Sequence, residues 1–164
     1  MRRNVARYVT GYGVTVLVGV LLEYLRRRAG GVVPDILAPM NASAWEMGKL
    51  CFWPYLAGAL VIWRLGDGED SRGGHCVLLV AMPLVMTALC VAFPGGAAIW
   101  RVMVPALGIA LYALVLRRHL RRGEVLWYTL AILLGIAYLL LTAAAPQRGI
   151  FMEVPVLPTV AIPV

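Results

Sequence analysis

The feature that most constrains this chain is the recurrence of apolar blocks long enough to span a bilayer, most of them ending beside arginines. A helix needs about 20 mainly apolar residues to cross a hydrocarbon core of ~30 Å, and irregular backbone cannot satisfy its own polar groups there. With 62% hydrophobic and 14% charged residues, the chain has too little polar surface for a soluble domain. The sequence therefore predicts an all-α integral membrane protein, a five-transmembrane-helix bundle forming a single membrane domain over 1–164. The spans expected are 8–25, 43–63, 76–93, 97–116 and 125–145. An apolar extended C-terminal tail, 146–164, follows, because Pro146, Pro155, Pro158 and Pro163 exclude a sixth helix. Oily chain outside a bilayer needs cover, so Ile150, Phe151 and Met152 are expected to fold back over the bundle mouth.

The formal net charge of +7 comes from arginines placed at block ends, where they meet anionic lipid head groups. That placement excludes a nucleic-acid surface. The partners implied are membrane lipids, anionic head groups among them, together with a second copy of the chain or another membrane protein. The start of the chain resembles a signal peptide, but Gly11, Tyr12 and Thr15 interrupt the apolar run and Glu23 and Arg26 to Arg28 follow it, so a retained first span is expected. With the N-terminus inside, Arg2, Arg3, Arg7, Arg64, Arg72, Arg117, Arg118, Arg121 and Arg122 are cytoplasmic, against Arg26, Arg27, Arg28, Lys49, Arg101 and Arg148 outside. The excess favours an N-in, C-out topology. Cys51, Cys76 and Cys90 lie within apolar segments without C-x-x-C spacing and read as small core residues.

Polar groups gather where the second span begins, over Pro39, Asn41, Ser43, Trp45, Glu46, Lys49, Phe52, Trp53 and Pro54. Ser43-x-x-Glu46 is the pattern of a capping box and starts a helix there. Lys49 lies one turn on, the sole lysine among 15 basic residues. Pro54 inside the span predicts a kink or an unwound turn near Trp53. Small residues at Gly11, Thr15 and Gly19 form a stripe on the first span that ends at Glu23, so the glutamate points into the bundle or pairs with Arg26 or Arg27. On the fourth span Arg101 shares a face with Pro105, Gly108 and Tyr112. On the fifth, Ala131, Gly135, Tyr138 and Thr142 share one. His75 and His119 fall in loops on the other side and read as solvated.

The stretch from Glu23 to Leu65 resembles an uncharacterised bacterial family of small multi-span membrane proteins. Its pattern P-x-N-x-S-x-W-E-x-x-K-L, followed by aromatic and proline residues, is matched at Pro39, Asn41, Ser43, Trp45, Glu46, Lys49 and Leu50, then at Phe52, Trp53 and Pro54. The proline-rich tail is similar as well. The resemblance implies a multi-pass protein of a bacterial inner membrane and supplies architecture rather than activity. The family's histidine after the glutamate is Met47 here, which removes the basis for a metal site.

No H-E-x-x-H, G-x-S-x-G or phosphate-binding glycine loop is present, and no cofactor is indicated. Glu23, Glu46, Lys49 and Arg101 are expected at similar depth, and ionisable groups there cost a few kcal/mol each unless paired or wet. They read either as a structural ion-pair network or, with Asn41, Ser43, Trp45 and Trp53, as the lining of an outward-facing polar pocket. The pocket points to a small transport or ligand-binding membrane protein. The alternatives are a membrane-embedded enzyme acting on a lipid, with Glu46 as general base, and an accessory subunit of a membrane complex.

Overall fold

A computed structural model describes residues 2–28, 37, 43–66, 72–116, 123–143 and 151. Among these the chain is all helical: α1 (Arg2–Arg28), α2 (Ala44–Arg64), α3 (Arg72–Ala92), α4 (Ala97–Leu111) and α5 (Glu124–Ala143). A 3-10 turn, Pro94–Gly96, joins α3 to α4, and a π-helical turn, Tyr112–Leu116, prolongs α4. The segments Val5–Leu25, Arg72–Ala92, Ala97–Leu116 and Glu124–Thr142 are long and apolar enough to cross a membrane.

The remaining helix, α2, carries Glu46, Lys49 and Arg64, and it is the helix the others enclose. Thirteen of its 21 residues are buried, whereas α1, α4 and α5 turn large apolar side chains such as Val9, Leu17, Leu107, Leu114 and Leu140 outward. A helix surrounded by protein can hold polar groups that an apolar solvent would not accept. α2 packs mainly on α1 and α3, with α4 closing one side. Its partners meet it antiparallel: Gly11 near the start of α1 lies on Ile62 near the end of α2, and Gly19 lies on Pro54.

The small-residue stripe on α1 is what allows that approach. A Cβ at Gly58 would overlap the Thr15 hydroxyl and come within 2.6 Å of the Gly11 carbonyl oxygen, so the two backbones sit in near contact. Thr15 turns its hydroxyl back onto the Gly11 carbonyl at 2.9 Å, leaving no orphan donor in the seam. The other expected faces are buried as well: Pro105, Gly108 and Tyr112 on α4, and Ala131, Gly135 and Tyr138 on α5.

One expectation is narrowed and another corrected. Of the kink or unwound turn expected near Trp53, the unwound turn does not form, since α2 stays helical through Pro54; the proline ring is buried and abuts Gly19, so α1 covers the place where the helix lacks an amide. α3 begins at Arg72 rather than 76, which makes His75 a buried helical residue instead of a solvated loop residue. The linker between α1 and α2 and the tail lie outside the described residues, except Leu37 and Phe151.

The seam is tested by Gly58→Ala. Overpacking of this kind costs roughly 1 to 3 kcal/mol. The variant is expected to melt at lower temperature in detergent, while Gly13→Ala, where an added Cβ meets nothing within 4 Å, is expected to melt like the parent.

Candidate functional site

Ser43 has extended backbone angles, φ −67° and ψ 151°, and its Oγ accepts the Glu46 amide at 3.2 Å. This N-cap starts α2, and Glu46 in the first turn complements the positive end of the helix dipole. The Glu46 carboxylate lies 2.7 Å from Lys49 Nζ; the two side chains are 5% and 0% exposed. A buried ammonium is tolerable only because its counter-charge is built one turn away on the same helix.

The surroundings of this pair are tight and aromatic. A Cβ at Gly48 would overlap the Tyr138 hydroxyl and sit 3.1 Å from Thr87 Oγ1, so α3 and α5 both press on this turn. Trp45 lies with its ring centroid 4.6 Å from that of Tyr138 and 5.4 Å from that of Phe151. At Phe151, therefore, the chain has folded back onto the start of α2. Trp53 is half-buried, edge-on to Phe52 at 4.8 Å. Asn41 lies outside the described residues.

Glu23 and Arg101 form a second group. Arg101 Nη1 donates to Glu23 Oε2 at 3.2 Å, tying α1 to α4, and Nη2 lies 3.5 Å from the Met47 sulfur. Arg27 holds the other Glu23 oxygen. The pair lines a cleft of about 230 Å³ between α1 and α4, whose walls include Thr15, Gly19, Val20 and Pro105. Leu50 reaches this cleft from α2, but Glu46 and Lys49 do not line it. The charged residues thus share one end of the bundle and fall in two places: a closed intrahelical pair and an open cleft.

A polar cluster at the opposite end was not anticipated. Tyr55 Oη is hydrogen-bonded to His75 Nδ1 at 2.9 Å, and the imidazole stacks on Tyr112 with centroids 3.8 Å apart and 19° between planes. Tyr8 meets the edge of Tyr112, and the buried Arg7 donates to the Tyr8 hydroxyl at 2.8 Å. The signal in the sequence was the recurrence of tyrosine at this height on α1, α2 and α4. The glycines at 73 and 74 concealed it by reading as loop. Gly74 in fact admits the Tyr112 ring, which an added Cβ would meet at 2.9 Å. No group of three or more metal-ligating side chains occurs among the described residues.

The intrahelical pair gives a sharp expectation. Glu46→Gln leaves the Lys49 ammonium uncompensated and should destabilise by about 3 to 5 kcal/mol, whereas Glu46→Gln combined with Lys49→Met should recover much of that loss. Thermal unfolding in detergent measures both, and near-parental melting of Glu46→Gln alone would mean the pair is solvated. Comparison with family models, with curated proteins and with solved structures finds no match.

Proposed function

We propose that this chain is a five-span membrane protein that binds a small single-chain amphiphile with an anionic head in the cleft between α1 and α4. The observation that carries this reading is the Glu23–Arg101 pair set at one end of a cleft whose other walls are mostly aliphatic. From Glu23 to Thr15 the cleft follows α1 for eight residues, about 12 Å of helix, enough for a short apolar body below a polar head. Glu23 already faces two guanidinium groups, Arg27 and Arg101, and Arg101 Nε has no acceptor among the described residues. The local balance therefore favours an incoming carboxylate or similar acceptor, which a guanidinium can hold through two parallel N–H groups.

Binding is preferred here over catalysis and over transport. Among the described residues the cleft walls hold no cysteine, histidine or serine, and the hydroxyl of Thr15 is committed to a carbonyl. Of the inward polar trail that a transporter needs, Thr15, Thr87, Tyr112 and Tyr138, only Thr15 lines this cleft. The arginine distribution supports placing the cleft in the outer half of a bacterial inner membrane, with the N-terminus inside and the C-terminus outside. Kinship with the small multi-span family rests on the motif around Glu46 and Lys49.

A dansyl-labelled fatty acid provides the test, titrated against the purified protein with tryptophan-to-dansyl energy transfer as readout. Saturable transfer is expected for the parent, with affinity about tenfold weaker for Arg101→Gln, the loss of a charge-assisted hydrogen bond. Val20→Phe should fill the cleft and remove saturation. Identical curves for parent and both variants would end this reading. Orientation is checked separately: Ser71→Cys should resist a membrane-impermeant thiol reagent in intact cells, and ready labelling there would invert the topology.

A further inference from the structure

A second lateral opening lies on the other side of α2. α2 and α5 both pack on α3, but along most of their length they do not pack closely on each other. The slot left between them is floored by Cys76 and Leu79 of α3. It contains two adjacent cavities of about 280 and 340 Å³ that share the walls Leu56, Cys76, Leu79 and Tyr128. One end carries Trp63, Arg72, His75 and Tyr128. The other is closed where Phe52 meets Tyr138, with centroids 5.6 Å apart. Between the ends the lining is aliphatic, and Leu60, Ile132, Ile136 and Leu139 on its rims are exposed.

We infer that this slot binds one acyl chain of an anionic phospholipid, with the lipid phosphate on Arg72 at the Trp63 and Tyr128 end. Three observations support that occupant. The first is length: Tyr128 to Leu139 spans eleven residues, about 16 Å of helix, which matches one leaflet, half of a hydrocarbon core of ~30 Å. The second is polarity: aromatic groups stand at both ends, Trp53 beside Phe52 at one and Trp63 with Tyr128 at the other, but only the latter end carries a lining arginine, the arrangement of an interface. Arg72 is exposed, and its guanidinium lies 4.4 Å from the Trp63 ring centroid, which orients it beside the mouth. The third is access: Leu60, Ile132, Ile136 and Leu139 on the rims are exposed, so the slot opens sideways along its length, as entry of a lipid chain requires. Arg64 also lies over the Trp63 ring, at 6.0 Å, but only Arg72 lines the cavity, so the phosphate is assigned to Arg72.

The assignment rests on the membrane reading but not on the α1/α4 ligand. Native mass spectrometry of the purified chain with dioleoyl phosphatidylglycerol or dioleoyl phosphatidylcholine tests it. One phosphatidylglycerol molecule should be retained at about tenfold lower concentration than phosphatidylcholine. Arg72→Gln should reduce that preference to parity, Arg72→Lys should keep part of it, and Ile132→Phe should weaken retention of both lipids. Arg101→Gln should change none of this, which separates failure here from failure of the proposed cleft. Equal retention of the two lipids by the parent, or undiminished preference in Arg72→Gln, would overturn the assignment. So would disulfide cross-linking between copies carrying Ile132→Cys, because a neighbouring chain would then occupy the slot.

Discussion

A fully buried ammonium on α2 sets the conditions that the other helices meet. Taking a charge out of water costs several kcal/mol even after relaxation, so Lys49, at 0% exposure, demands both its carboxylate and walls that keep the pair closed. Those walls are the other helices. Gly48 lets Tyr138 and Thr87 approach the turn that carries Lys49, and Gly58 lets α1 approach half a helix further on. The central helix thus carries charge in Glu46, Lys49 and Arg64 and is also the most enclosed by structure. These are two sides of one constraint.

Enclosing α2 in this way leaves four outer helices to cover it, and they do not close a complete ring. On one side α1 and α4 are joined across their cleft by Glu23 and Arg101; on the other, α2 and α5 leave a slot with α3 as its floor. The two openings differ in chemistry. The first has an ion pair at its end and stands with Met47 and Leu50. The second is lined by aliphatic and aromatic groups and carries an exposed guanidinium, Arg72, at its mouth.

Much of this was legible in the sequence because helix period and residue size are local properties. Ser43-x-x-Glu46 marked the start of α2, the spacing of Gly11, Thr15 and Gly19 marked the seam, and Ala131, Gly135 and Tyr138 marked the inner face of α5. What sequence spacing conveys is height along a helix and, within that helix, which residues share a face. It does not convey how one helix is rotated against another. For that reason Glu23, Glu46, Lys49 and Arg101 were correctly grouped at one end, yet their separation into a closed pair and an open cleft was hidden. His75 was misread for a different reason: Gly73 and Gly74 lower helix propensity, and the packing of Tyr112 and Leu116 against that turn, which no local signal reveals, offsets it. Pro54 was read from its missing amide, whereas the structure shows its ring serving as the contact for Gly19.

The two ion pairs also do different work, and the difference follows from where their partners reside. Glu46 and Lys49 belong to one helix, three residues apart, so their attraction cannot choose among arrangements of neighbouring helices; the pair only makes α2 tolerable inside the bundle. Glu23 and Arg101 belong to different helices, and their bond at 3.2 Å is a tie between α1 and α4 that a competing acceptor can loosen. On the ligand-binding reading, an anionic head that takes Arg101 exchanges an interhelical bond for a ligand bond. A ligand shifts a conformational equilibrium only by its differential affinity for the two states, and here that difference is the strength of the displaced Glu23 contact. Arg27 remains beside Glu23 when Arg101 leaves, so the carboxylate is not stranded and the exchange costs less than the breaking of a buried pair. The geometry therefore places the adjustable electrostatic contact at the α1/α4 cleft and the fixed one inside α2.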